Sequence, residues 1–413
     1  MEIKPIVSSL WFNKTGPVLI CLQIAFTLAL VVNAIFLIDV RLEKMNQPLG
    51  IDTENIFSLS SMLVTPVEDH QAFMKRDMEA IRAIPGVVDA TPVLTVLHSG
   101  SARADTYRGV PELNDDMERI ANVNFVDEHG LDALGIELIA GRNFRADEIV
   151  YLEPGERAYT KLRNLIISES MGRALFPEGE ILGRTVYYGE ENLHLPVIGV
   201  VSDVATAWMA SDSEYARGTK YNFMLQPFVE RKTGRGNSYM IRTEPGMLER
   251  TMPEVEDKLF SLYGDRLITR VRTQTDTIER SYATDRAITQ ILSIVSGLMV
   301  LITALGIVGL ASFSVNQRTR QIGTRRALGA KKRDILRYFL VENILLTSMG
   351  VSLGSILVYG FHFYLFSIMP IPKMTPEFLP MGIITLYVLG LLAVMGPALR
   401  AASTPPGVAT RSA

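Results

Sequence analysis

Four apolar stretches interrupt an otherwise mixed chain: residues 16–38, 288–315, 338–369 and 379–399. The first, second and fourth carry no charged side chain, and the third is broken only by Glu342 and His362. At 1.5 Å per residue, about 20 residues of helix cross a hydrocarbon core of about 30 Å, so each stretch is long enough to span a membrane. Residues 16–38 are expected to be an uncleaved anchor, because the apolar stretch is too long for a signal peptide and 39–43 offers no small-residue cleavage site. The second stretch would reach about 42 Å as a helix, more than the core requires, and reads as a span that continues outward as a stalk.

Residues 39–286 alternate between the periods of strand and helix. Residues 56–64 and 87–97 read as strands around a helix carrying Phe73, Met74, Met78, Ile81 and Ile84, opened by a Thr65-Pro66-Val67-Glu68 capping box and stopped by Pro85-Gly86. A similar unit closes the segment. It has strands at 223–225 and 239–241, a helix with Leu248, Met252, Val255, Leu259 and Leu262 on one face, and a strand at 267–271. Between the two units, 164–168 leads into a short helix ending near Phe176-Pro177, and 185–188 with 196–202 forms a hairpin around Gly189-Glu190-Glu191-Asn192. The predicted architecture is a four-span helical membrane protein with a large α/β domain between the first two spans, and a second lobe inserted at roughly 112–215.

Charge orients this arrangement. Residues 316–337 hold eight basic side chains and one acid, while 39–286 sums to −12 within a chain of net charge −3. The positive-inside rule places 316–337, the tail 1–15 and the tail 400–413 in the cytoplasm, the 39–286 domain outside and 370–378 as an outer loop. The spans then run 16–38, 287–315, 338–369 and 379–399. The single cysteine, Cys21, lies in the first span, so the outer domain holds together without disulfides.

Catalytic patterns are missing. The nearest approach to a phosphate-binding loop, Gly323 to Gly329-Ala330-Lys331, lacks the Gly-Lys-Ser/Thr ending. No Gly-x-Ser-x-Gly or His-Glu-x-x-His occurs, and the five histidines (70, 98, 129, 194 and 362) are scattered. No catalytic residue, metal site or bound cofactor is expected on this chain, and no nucleic-acid partner.

The basic segment divides in two. Lys331, Lys332, Arg333 and Arg337 read as anchors for anionic lipid at the entry of the third span. In 318–328, Ile322 and Leu328 are apolar amid charge and Gly329 is placed to end a short helix. Such a helix suits docking in a groove, with its apolar positions inserted and arginines gripping carboxylates at the rim. Within the spans, Glu342 needs a partner, either a nearby Lys or Arg or a helix-to-helix bond. Gly350 and Gly354 allow close helix approach, and Gln23, Thr27 and Asn33 are expected to face the bundle.

Arg320, Ile322, Gly323, Arg325, Arg326, Ala327, Leu328, Gly329 and Ala330 resemble the cytoplasmic loop of MacB/FtsX-like (type VII) ABC transporter permeases. One departure is Gln321, where the family usually has Glu. The outer segments Arg82–Val87, Gly141–Phe144, Ile167-Ser168-Glu169, Leu182-Gly183 and Val197–Asp203 are similar to the MacB-type periplasmic core, whose two lobes are called Porter and Sabre. The ending Pro397-Ala398-Leu399-Arg400-Ala401-Ala402 with Pro406, Val408, Ala409 and Arg411 matches the family's tail. The resemblance implies a bacterial inner-membrane permease that dimerises with a second copy or a paralogue. It also implies a coupling helix at Arg318, Arg320, Ile322, Gly323, Arg325, Arg326, Leu328 and Gly329, docked on a separate ATPase that carries ATP and Mg. ATP-driven closure would move the outer domains without threading substrate through the bilayer, with a periplasmic adaptor and outer-membrane duct as further partners. Export is the favoured output. Lipoprotein release and transmembrane signalling to a cell-wall hydrolase are the alternatives, the latter disfavoured by the large outer domain. A membrane-anchored binding domain without an ATPase is the remaining rival.

Overall fold

An apolar medium offers no water to unpaired amides, so each long apolar stretch must bond its own backbone, and a helix does so within one segment. The computed structural model has helices at Thr15–Met45, Ala283–Gln317, Lys332–Ile368 and Phe378–Ser403, all long and apolar enough to cross a membrane. The structure describes residues 15–65, 67–112, 117–153, 156, 158–189, 193–207, 209, 219–230, 236–368 and 371–403. The chain divides into two compact units, one built from the four spans and the other from Lys44–Thr284.

The bundle is held by close packing and by polar groups satisfied inside it. A Cβ on Gly350 would lie 2.8 Å from Ile24 Cβ, and one on Gly354 would lie 3.0 Å from Ala25 Cα. The first and third spans therefore touch along these two glycines, as small-residue interfaces do in lipid. Gln23 Nε2 donates to the Ile302 carbonyl at 2.9 Å, the Thr27 and Thr303 hydroxyls share a 2.7 Å bond, and Asn33 Nδ2 donates to Val358 O at 3.2 Å. His362 Nε2 accepts from the Met374 amide at 3.1 Å. Arg41 pairs with Asp285, tying the first and second spans at one end.

Among its described residues the second unit contains two large sheets and a short two-stranded one, Val150–Leu152 with Phe228–Glu230. One large sheet is antiparallel, in the order Arg266–Thr273, Ile56–Leu63, Asn237–Thr243, Val87–Val93. Helices His70–Arg82 and Leu248–Leu262 each join two strands that another strand separates, which makes two interleaved split β-α-β units. Both helices lie on the same face, burying Phe73, Met74, Met78, Ile81, Val255 and Leu259 against Phe57, Leu59, Tyr239 and Ile241. The first helix begins later than its sequence suggests. Asp69 is its N-cap, accepting from the Ala72 amide at 2.9 Å, so Thr65 and Glu68 do not cap it; Pro66 lies outside the described residues.

The other large sheet has seven strands, in the order Leu138–Gly141, Leu193–Val201, Leu165–Ser168, Phe223–Gln226, Glu118–Phe125, Arg103–Arg108, Thr185–Tyr188. Because Thr185–Tyr188 pairs with both Arg103–Arg108 and Leu193–Val201, six of these strands close into a barrel. Tyr107, Val123, Phe125, Leu165, Ile167, Leu195 and Met224 fill it. The alternate residues Ile166, Phe223 and Leu225 pack outward with Ile56, Val93 and Met240 of the first sheet, so period-two alternation serves two cores at once. Sequence periodicity assigns 223–225 to the closing unit of the first lobe, but the structure gives Phe223–Gln226 to the barrel, paired with Glu118–Phe125 and Leu165–Ser168. Local pattern fixes a strand, not its partner. The strand 87–97 also ends early, at Val93. Of the hairpin around 189–192, the two strands pair in antiparallel register, and the tip at 190–192 lies outside the described residues.

Beyond that strand, His98 sits in the left-handed region at φ 59°, with 3% of its surface exposed. Gln274 Nε2 donates to its Nδ1 at 2.8 Å, and burial pushes the imidazole down to about 4 from its ordinary 6.5. Below pH 6.5 the unfolded chain takes up a proton that the folded chain refuses. The stability is therefore full above that pH and declines as pH falls toward 4, by about 3 kcal/mol when complete. His98→Asn, which tolerates the left-handed backbone, is expected to flatten the melting temperature between pH 6.5 and 4. A variant whose melting temperature falls with acid as steeply as the natural chain's would exclude this origin.

Candidate functional site

The basic segment folds as one short helix, Thr319–Ala327, set between two spans. Arg318, at φ −104° and ψ 11°, breaks the long helix that ends at Gln317. Gly329 closes the far end at φ +97°, a region that costs a side-chain-bearing residue about 1–2 kcal/mol. Its amide donates to the Arg326 carbonyl at 3.1 Å and the Ala330 amide donates to the Arg325 carbonyl at 3.0 Å. The Lys331 amide then donates to Asp334 Oδ2 at 3.0 Å, and the third span's helix begins at Lys332.

The candidate coupling residues separate into two groups. Ile322 is 6% exposed and belongs to the bundle's apolar cluster with Ile335 and Phe339, and Gly323 is buried beside it. The helix lies against its own bundle at this point, and covering Ile322 there removes it from water. Arg318 Nη1 donates to the Tyr338 hydroxyl at 2.8 Å and to Glu342 Oε2 at 3.2 Å. Arg326 Nη1 donates to the Ala402 carbonyl of the fourth span at 3.0 Å. The other group faces outward. Arg320, Arg325 and Gly329 are exposed, and Leu328 is 84% exposed, next to exposed Lys331, Lys332 and Arg333.

Glu342 finds its partner in Arg318, whose Nη1 is also 3.2 Å from Oε1. Tyr338 is a residue the sequence reading missed. The Arg318 and Arg325 guanidinium groups stand 5.7 and 5.6 Å from its ring centroid, and its hydroxyl accepts from Arg318. It lies one helical turn before Glu342, so the i, i+4 spacing places both on the same face. A cavity of about 250 Å³ adjoins Arg318 and Glu342, lined also by Gly16, Ile20, Leu310 and Asn343. Among the described residues no group of histidine, cysteine, aspartate or glutamate is arranged to hold a metal ion. The basic helix is thus fastened to the third and fourth spans, with Leu328 left outside.

Residues 18–259 match the MacB-like periplasmic core domain and residues 293–406 the FtsX-like permease C-terminal domain. Curated relatives include the macrolide export ATP-binding/permease protein MacB of Wolinella succinogenes, 24% identical over 69% of this chain and 40% of that protein. The probable syringafactin export ATP-binding/permease protein SyfD of Pseudomonas syringae pv. tomato is 25% identical, over 78% of this chain and 44% of its own. The MacB of Chromobacterium violaceum is 23% identical over 87% and 52%. The chain thus spans about half the length, or less, of these relatives. Among solved structures, the periplasmic region of MacB from Actinobacillus actinomycetemcomitans overlaps 57% of this chain and 94% of its own, at 17% identity and a TM-score of 0.34. With the periplasmic core matched over more than half of its residues and the permease region following, this chain belongs to the MacB-like family of ABC transporter permeases.

Proposed function

We propose that this chain is the membrane subunit of an ABC export system, and that it converts ATP hydrolysis on a separate ATPase subunit into movement of its extracytoplasmic domain. The observation that carries this reading is the outward group at the basic helix, with Leu328 exposed among Arg320, Arg325, Lys331 and Lys332. An exposed apolar side chain flanked along the chain by exposed cations suits an acidic groove on a partner in the cytoplasm. The charge distribution supports placing 318–337 and both termini on the cytoplasmic side of the inner membrane, with Lys44–Thr284 in the periplasm. Gln23, Thr27, Asn33, Thr303 and Glu342 in the spans are engaged within the bundle, which suits transmission of motion better than passage of a polar substrate. The relatives' names speak of ATP-binding and export, and residues 1–413 hold no phosphate-binding loop, so this reading places hydrolysis outside them. The working unit is a permease dimer, with a periplasmic adaptor and outer-membrane duct completing the export path.

The test is purification of the tagged chain from native membranes in mild detergent, with identification of what accompanies it. An ABC ATPase with an elongated periplasmic adaptor is the expected result. An ATPase with a bound lipoprotein or a cell-wall hydrolase would replace export by release or signalling. Absence of any ATPase, under conditions that preserve a control complex, would refute the reading.

A further inference from the structure

The contact between Arg318 and Glu342 lies where the second span, the basic helix and the third span meet. Arg318 is the residue at which the second span's helix breaks, and Glu342 belongs to the third span. Their side chains are 19% and 8% exposed, and one guanidinium nitrogen reaches both carboxylate oxygens at 3.2 Å. The cavity of about 250 Å³ lies against both residues. A second cavity, of about 30 Å³, is lined by Arg318, Ile322, Arg325, Ile335 and Tyr338. Dense packing transmits a displacement because it leaves no room to yield. Here the space lies at the joint around Arg318, so packing is incomplete where the second span hands over to the helix, although Ile322 packs on Ile335 and Phe339 further along. A charge-assisted bond closes that joint, because parting it would leave a largely buried carboxylate unpaired.

We infer that Arg318 and Glu342 form a latch that makes the basic helix and the third span move as one body. They are positioning residues. A displacement imposed on the helix is delivered to the span and is not absorbed in the adjoining cavities. The latch belongs to this chain alone, while the identity of the driver rests on the proposed function.

Two measurements separate these claims. In the purified full chain without any partner, trypsin cleavage after Arg320 and Arg325 reports how often the helix opens. Glu342→Gln is expected to raise that rate about tenfold, Arg318→Lys less, and the double exchange Arg318→Glu/Glu342→Arg to restore it to within about twofold. In the complex with its ATPase, Glu342→Gln is expected to raise about tenfold the ATP hydrolysed per movement of the extracytoplasmic domain, read by a fluorophore pair placed there. A role in folding alone would lower hydrolysis and movement together. Unchanged cleavage in Glu342→Gln, or an unchanged ratio of hydrolysis to movement, overturns the latch. If the double exchange does not fold, the graded order of Arg318→Lys below Glu342→Gln still decides the matter. If the natural chain brings no ATPase, the proposed function fails and the trypsin measurement still decides the latch.

Discussion

Asp77→Ala is expected to destabilise the extracytoplasmic domain by about 3–5 kcal/mol, a large part of the 5–15 kcal/mol that holds most domains together. Asp77 and Arg266 have no exposed side-chain surface, and they meet in a two-pronged contact at 2.7 and 2.8 Å. Tyr239 donates to the same carboxylate at 2.6 Å, Arg266 donates to Ser61 Oγ at 3.1 Å, and the guanidinium stands 5.0 Å from the Phe73 ring centroid. The pair thus joins one helix to three strands of the antiparallel sheet. Removing the carboxylate leaves the guanidinium without its counter-charge in a place water does not reach, and that desolvation sets the size of the loss. Asp77→Asn keeps the shape and is expected to lose most of the same stability. The double variant Asp77→Leu/Arg266→Met should recover a large part of it, because an apolar pair has no charge to strand. Thermal unfolding of the full chain in detergent measures all three, with a drop of about 10 °C expected for Asp77→Ala. A drop of only a degree or two would mean that the pair contributes little to the fold.

Leu328→Asp is expected to abolish coupling while leaving the fold intact. Burying a large apolar side chain at a partner's surface commonly contributes about 2 kcal/mol or more, and placing a carboxylate there reverses the sign of the contact. Recovery of the ATPase with the tagged chain should therefore fall by about thirtyfold or more. The melting temperature should stay within a degree or two, because Leu328 is 84% exposed and the helix ends before it. Ile322→Asp is the contrasting variant. Ile322 is 6% exposed among Ile335 and Phe339, so a charge there should destabilise the bundle and lose the ATPase only as a consequence. Full recovery of the ATPase with Leu328→Asp would show that the outward group is not the docking surface.

The two apolar residues of the basic helix show where sequence stops. Both read as candidates for insertion into a partner because both stand amid charge. Only the packing of the helix against the third span shows that Ile322 is already covered and Leu328 is not. Glu342 likewise announced the need for a partner, since a carboxylate is expensive in a span, but eight basic residues lay within reach in sequence. The break at Arg318 brings that one guanidinium to it, with Tyr338 one turn earlier on the same face.

What the sequence determined by itself is whatever depends on neighbouring residues or on one-dimensional charge. Four stretches too apolar to be anything but spans, a cationic segment between two of them, an acidic domain of alternating strand and helix, and the absence of a phosphate-binding loop all follow from local composition and period. Only the tertiary structure decided the rest. It interleaved the two β-α-β units, gave Phe223–Gln226 to the barrel, joined Asp77 to Arg266 across 189 positions and turned Ile322 inward. Strand partners and buried ion pairs join residues distant in the chain, and many such pairings satisfy the same local pattern. The choice among them is made by which arrangement covers the apolar faces and leaves no charge unpaired.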